Sequence, residues 1–224
     1  MRTVALVHGA WHGPWCWAPV LAGLDEVGVP TVAVELAGPD LHADADAVRA
    51  ALDELQDVVL VGHSYGGAVI TDAGTHPSVA HLVYVAAFAP DADEAVSAVP
   101  LEGGEASEVP RAMCFGDDGT TTLDLGVAPE VFYGDCDALD VERALGLLRP
   151  QHLDTFRQAP RAVAWRQRPS TYVVCTDDRA VPAPLQRNMA ARIPEVAVVE
   201  LAGASHSPFF SRPHELVELL AGLT

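Results

Sequence analysis

The chain has 224 residues, half of them apolar, and a formal net charge of −18 at pH 7, with 31 acidic residues, 13 arginines and no lysine. This length and composition predict a single globular domain spanning residues 1–224 and exclude an intrinsically disordered chain. The negative charge argues against nucleic acid and against an anionic membrane surface as partners, because both require basic patches on the protein.

Neither the cysteines nor the apolar runs point to a secreted or membrane protein. The 4 cysteines are dispersed without a C-x-x-C pair, which predicts no zinc or redox site and is typical of thiols in a reducing compartment. The apolar run Thr3–Val7 is too short for a signal peptide, and no run approaches the roughly 18 residues that a membrane helix needs. We therefore expect a cytoplasmic protein.

Strand-like and helix-like segments alternate along the chain, which predicts a mostly parallel sheet with helices on both faces. We predict strands at Thr3–Val7, Thr31–Glu35, Val58–Val61, Leu82–Ala87, Thr171–Cys175 and Val196–Leu201. Apolar residues at helical spacing predict helices at Pro14–Glu26, Asp44–Leu55, Gly66–Thr75, Pro184–Arg192 and Pro213–Leu220. The predicted fold class is α/β, with a sheet of about six strands.

The alternation stops between about residues 91 and 165, where Asp, Glu, Gly and Pro are frequent. The turn Asp117-Asp118-Gly119 predicts a hairpin between Met113–Phe115 and Thr120–Leu125. Helical patterns return at Leu139–Leu148 and Leu153–Ala159. Because irregular insertions after the carboxyl ends of strands often carry function, we predict a small lid here; the alternative is an ordinary surface loop.

The segment Gly62-His63-Ser64-Tyr65-Gly66 carries the clearest chemical signal, a G-x-S-x-G spacing between a strand and a helix. A serine at such a turn is held in a strained backbone conformation, and the flanking glycines lack the Cβ atoms that would clash. The turn raises the hydroxyl above the carboxyl edge of the sheet. We predict Ser64 as a nucleophile; the alternative is a glycine-rich turn with an idle serine.

A serine hydroxyl needs a base, normally a histidine, to remove its proton as it attacks. The chain has 9 histidines. His206 is the best placed of them, since it lies in the loop after the last predicted strand, at the edge where Ser64 emerges. His63 adjoins the nucleophile, but we expect its side chain to point away into the structure.

The base in turn needs a carboxylate that fixes its tautomer. In this fold class the order along the chain is serine, acid, histidine. Asp177 and Asp178 both follow the strand that ends at Cys175, and we prefer Asp178. Asp91, after the fourth strand, is a third candidate.

A developing oxyanion needs two preorganised N–H donors. We expect the amide of Tyr65, directly after the nucleophile, to supply one, and the amide of Ala10 is the candidate for the other, from the loop His8-Gly9-Ala10 after the first strand. The alternative for His8-Gly9 is a simple turn that ends the strand. Trp11 and Phe88 lie in loops near the same edge and are candidates to line an apolar substrate pocket.

Taken in chain order, the segments VHGAWHGPWCW, VGHSYGG, FYGDCD, CTDDRAVP and GASHS resemble the α/β-hydrolase superfamily over nearly the whole chain. They are most similar to the branch that contains plant methyl esterases, hydroxynitrile lyases and their bacterial relatives. This resemblance implies an α/β-hydrolase fold with a short lid. It also implies Ser64 as nucleophile, His206 as base and Asp178 as acid, with the amides of Ala10 and Tyr65 as the oxyanion hole.

The resemblance also separates two chemistries. Lyase members carry a threonine after the first histidine of the oxyanion loop and a lysine after the catalytic histidine, where this chain has Gly9 and Ser207. It therefore implies a serine hydrolase that cleaves a small or aromatic carboxylic ester through an acyl-enzyme, without a metal or organic cofactor. The alternatives are lyase or thioesterase use of the same triad, and a non-catalytic small-molecule binder on the same scaffold.

Overall fold

A six-stranded parallel sheet is the centre of the computed structural model, which describes residues 2–36, 38–99 and 106–224. In chain order the strands are β1 (Thr3–Val7), β2 (Thr31–Val34), β3 (Val58–His63), β4 (Val79–Val85), β5 (Met113–Phe115), β6 (Thr120–Leu123), β7 (Gln151–His152), β8 (Ser170–Cys175) and β9 (Ala197–Leu201). The main sheet has the order β2-β1-β3-β4-β8-β9, and all neighbouring strands in it are parallel. Their carboxyl ends therefore meet at one edge, as the sequence predicts.

The α-helices are α1 (Ala18–Glu26), α2 (Leu41–Leu52), α3 (Tyr65–Ala73), α4 (Val109–Ala112), α5 (Ala128–Phe132), α6 (Ala138–Leu145), α7 (Ala183–Arg192), α8 (Pro208–Ser211) and α9 (Pro213–Ala221). Helices α1 and α9 pack on one face of the main sheet, and α2, α3 and α7 pack on the other, each face with its own apolar cluster. The prediction of helices on both faces is confirmed. Strand β3 is buried at every position because both its faces are covered.

Several element boundaries differ from the predicted ones for local reasons. The predicted helix Pro14–Glu26 is a 3₁₀ turn at Pro14–Trp17 followed by α1. Helix α2 begins at Leu41, three residues earlier than predicted, because the Asp40 side chain caps it by accepting from the Ala43 amide at 2.9 Å. Strand β4 ends at Val85 because the next residue turns the chain with a positive φ of 46°.

The region between β4 and β8 forms the lid that covers the carboxyl edge of the sheet. Strands β5 and β6 form the predicted hairpin, and β7 joins them as a third, unpredicted antiparallel strand. Helix α6 is the predicted helix at Leu139–Leu148, whereas the one predicted at Leu153–Ala159 is only a 3₁₀ turn at Leu153–Phe156. Residues 100–105 of the predicted lid lie outside the described residues.

The lid is fastened to the loop that follows β1. The Trp11 indole Nε1–H donates to Thr121 Oγ1 on β6 at 3.1 Å, and the Arg149 amide donates to the Trp11 carbonyl at 3.0 Å. Among the helices that the structure describes, none combines the length and the apolar character of a membrane-spanning segment.

Candidate active site

Ser64 stands at the sharp turn between β3 and α3 with φ 53° and ψ −123°, a strained conformation for a residue with a side chain. Two glycines make the turn possible. A Cβ atom on Gly62 would lie 2.5 Å from the Gly66 carbonyl oxygen, and one on Gly66 would lie 2.6 Å from the His8 carbonyl oxygen. Since both obstacles are backbone atoms, only glycine fits at these positions. The predicted strand–turn–helix context of the serine is confirmed.

The structure brings His206 and Asp178 together behind the turn. Both side chains are buried, and His206 Nδ1 lies 2.7 Å from Asp178 Oδ2. The same oxygen accepts from Gln186 Nε2 at 3.0 Å, and the other accepts from the amides of Ala180 and Val181 at 2.8 and 2.9 Å. Because the carboxylate faces Nδ1, that nitrogen carries the proton, which leaves Nε2 of His206 free to accept one.

The other two candidate acids lie elsewhere. Asp177 is exposed, although it is adjacent in sequence, and its backbone amide donates to the Ala204 carbonyl at 3.0 Å. Asp91 pairs with the guanidinium of Arg166. The carboxylate that meets His206 is therefore that of Asp178.

His63 supports the backbone of His206. Its Nε2–H donates to the His206 carbonyl at 2.8 Å, and the two rings lie 4.6 Å apart between centroids. Burial, with a contribution from the nearby His206, holds the pKa of His63 well below its ordinary value. The ring is therefore a neutral donor, packed inside the molecule as the sequence predicts.

Ser64, His206, Ala10 and Tyr65 all line one cavity of about 430 Å³ under the lid. Within the part of the chain that the structure describes, neither the Ala10 amide nor the Tyr65 amide donates to another protein group. Two main-chain donors are thus available at the cavity wall beside the serine.

The rest of the cavity wall is mostly apolar. Trp11 and Phe88 line it, and the lid supplies most of the remaining apolar surface, through Val96, Val99, Val109, Met113, Phe132 and Phe156. Sequence reasoning missed the aliphatic lid residues and Phe156, and it missed Gln186, because none of them carries a motif. Among the described residues, no group of three or more His, Cys, Asp or Glu side chains is arranged to hold a metal ion.

Comparisons with known proteins identify the family and the fold of the chain. A family model described as "Alpha/beta hydrolase family" matches residues 4–219. Methylesterase 7 of Arabidopsis thaliana is 32% identical over 246 residues, covering 98% of this chain and 95% of the relative. Norfluorocurarine synthase 2 of a Strychnos species is 30% identical over 255 residues, covering 98% and 94%. The crystal structure of a pyrethroid hydrolase from Sphingobium faniae JZ-2 aligns with a TM-score of 0.86 and 27% identity, covering 99% of this chain and 96% of that one.

Proposed function

This chain belongs to the alpha/beta hydrolase family and is a carboxylesterase-type hydrolase, and we propose that Ser64, His206 and Asp178 are its catalytic triad. The observation that carries the proposal is the 2.7 Å contact between His206 Nδ1 and Asp178 Oδ2 at the cavity that Ser64 also lines. A buried carboxylate on Nδ1 prepares the opposite nitrogen to act as a base towards that cavity.

The proposed reaction is acyl transfer to the serine. Ser64 Oγ attacks the ester carbonyl while His206 Nε2 takes its proton, and Asp178 stabilises the resulting imidazolium. The tetrahedral oxyanion lies between the amides of Ala10 and Tyr65. His206 then protonates the departing alcohol. In the second half, a water molecule gives its proton to His206, attacks the acyl-enzyme and releases the carboxylic acid as Ser64 regains its proton.

The cavity supports a small or aromatic ester as substrate. Its volume of about 430 Å³ is near the lower end of the range for ligand pockets. Its walls offer aromatic rings and aliphatic side chains in place of charges, apart from the exposed Arg157. Lyase chemistry has less support, because the position after His206 holds Ser207, which is buried and carries no charge.

Labelling with a fluorophosphonate probe tests the nucleophile. We expect the wild-type chain and Ser78→Ala to be labelled, since Ser78 precedes β4 at the opposite edge of the sheet. We expect Ser64→Ala to lose the label and at least about 10⁴-fold of its turnover on p-nitrophenyl esters. Label or turnover that survives in Ser64→Ala would refute the proposal. Mandelonitrile cleavage without ester hydrolysis would instead favour the lyase.

A further inference from the structure

The peptide group between Gly9 and Ala10 carries two polar groups, the N–H of Ala10, which is a residue of the cavity wall, and the Gly9 carbonyl. His8 Nδ1 lies 2.8 Å from that oxygen. Because a carbonyl oxygen can only accept, Nδ1 carries the proton and donates it. The peptide group is planar, so a hydrogen bond that fixes the carbonyl also fixes the direction of the Ala10 N–H.

The other nitrogen of the same ring accepts two hydrogen bonds. His8 Nε2 lies 3.1 Å from the Leu36 amide nitrogen and 3.1 Å from Arg149 Nη2. Both partners are donors, so this nitrogen carries no proton. Burial first, and then the neighbouring Arg149 charge, lower the pKa of His8 to about 3, against the opposing effect of the Gly9 carbonyl. The ring is therefore held as one neutral tautomer between a cation and the peptide.

Arg149 is held in place from several sides. Its guanidinium also donates to the Leu36 carbonyl and pairs with the Glu35 carboxylate. Its backbone amide donates to the Trp11 carbonyl at 3.0 Å, in the same loop that carries Ala10. The guanidinium is therefore held in a defined position beside the loop, in contact with His8.

We propose that Arg149 and His8 are positioning residues that aim and polarise the Ala10 amide towards the oxyanion. This inference rests on the proposed function, in which that amide is an oxyanion donor. A hydrogen bond to the carbonyl oxygen draws electron density from the peptide and strengthens its N–H as a donor, by about 10–30% per bond in a chain of bonds. The benefit appears only when negative charge develops on the substrate oxygen, so it acts on the transition state.

The first variant is Arg149→Met, which removes the cation and keeps an apolar stem. We expect kcat per active site to fall about tenfold, less than the loss of a whole oxyanion donor, with KM within about twofold. Affinity for a trifluoromethyl ketone, whose hemiketal oxygen occupies the oxyanion hole, is expected to fall by the same factor. Arg149→Lys keeps the charge, and we expect it to recover part of both losses.

His8→Asn keeps one contact of the histidine and removes the other, because the asparagine amide can still donate near the Gly9 carbonyl but cannot reach Arg149. We expect it to lose as much kcat as Arg149→Met. The double variant is expected to lose no more than His8→Asn alone, since both changes break one chain. If Arg149→Met does not fold, His8→Asn carries the test with the same readouts.

The matched control is Arg168→Met. Like Arg149, Arg168 is half-buried and donates to backbone carbonyls, in this case those of Gly74, Thr75 and His76. These carbonyls follow the carboxyl end of α3, whereas Ser64 stands at its amino end. Fluorophosphonate titration counts the competent sites in each preparation. We expect the control to keep wild-type kcat per site.

Three outcomes would overturn the inference. If Arg149→Met lowers the melting temperature or the number of titratable sites but keeps wild-type kcat per site, the arginine only supports the scaffold. Equal ketone affinity in the wild type and Arg149→Met would exclude polarisation of the hole. A wild-type chain that neither takes the fluorophosphonate nor hydrolyses esters would refute the triad itself, and this inference with it.

Discussion

Replacing Asp178 by asparagine tests whether the carboxylate, as an acceptor of hydrogen bonds, fixes the tautomer of His206. The carboxylate accepts four hydrogen bonds, two on each oxygen. An asparagine keeps one acceptor oxygen, and its NH₂ group must face two donors whichever way it points. With the oxygen towards the amides of Ala180 and Val181, the NH₂ faces Gln186 Nε2 and His206 Nδ1. His206 must then move its proton to Nε2.

An imidazole protonated on Nε2 cannot take a proton from Ser64. We expect kcat of Asp178→Asn to fall about 10⁴-fold, the scale known for the corresponding change in serine proteases, which is about 5 kcal/mol of transition-state stabilisation. Gln186 retains its bonds to the carbonyls of Val181 and Cys175. We therefore expect the free energy of unfolding to fall by only about 1–3 kcal/mol.

The assay is p-nitrophenyl ester turnover per fluorophosphonate-titrated site, with thermal melting beside it. The control is Asp177→Asn, an adjacent and exposed carboxylate that should keep wild-type kcat. A kcat for Asp178→Asn within tenfold of the wild type, in a folded protein, would refute the assignment of the acid. Equal losses in the two variants would point to the loop and not to the carboxylate.

Three further changes probe the fold and the cavity. Gly62→Ala would press a methyl group 2.5 Å from the backbone, so we expect about 3 kcal/mol less stability in urea unfolding. Gly28→Ala meets no atom within 4 Å and suffers only the strain of its φ of +76°, about 1 kcal/mol; equal losses would contradict this reasoning. Burial opposes ionisation of Asp72, but the hydrogen bonds that this carboxylate accepts from Arg161 and Arg49 outweigh the effect of burial. The pKa of Asp72 therefore lies below the ordinary value. Its stabilising effect is therefore present above the unfolded-state pKa and lost as the pH falls through the lower folded-state pKa. We expect Asp72→Asn to be about 2 kcal/mol less stable than the wild type at pH 7, and this deficit to shrink as the solution is acidified through that range. A deficit independent of pH would count against the ion pair. Met113→Trp narrows the cavity from the lid and should lower kcat/KM for aromatic esters more than for acetates, and an unchanged ratio would mean that substrates bind elsewhere.

The main sheet could be predicted because its signals are local. Val58–Val61 is an apolar run of strand length, rich in β-branched residues, and burial on both faces of the sheet requires an apolar run. Ser64 carries a motif whose context can be checked in the neighbouring residues. Asp178 and His206 could be proposed from sequence because each follows a strand, and the carboxyl ends of parallel strands share one edge.

The lid could be predicted only in part because long-range contacts decide its conformation. The segment after His152 has a helical pattern, yet the Leu153 amide donates to the Gly119 carbonyl, and Thr155 Oγ1 donates back to the His152 carbonyl. The first bond ties the start of the segment to the hairpin, and the second lies within the single turn that forms. Gln186 left no signal either, since its side chain meets Asp178 only once the loop between them is folded.

Strand β9 lies at the edge of the main sheet as described, where it pairs with β8, and Val198 on it is 49% exposed. The loop that carries His206 follows directly after this strand. Fraying of this edge strand would withdraw the imidazole while the other five strands of the main sheet, and Ser64 with them, stay in place. Heating should therefore abolish turnover at a lower temperature than the one that removes the far-UV circular dichroism, and cooling should restore it without global refolding.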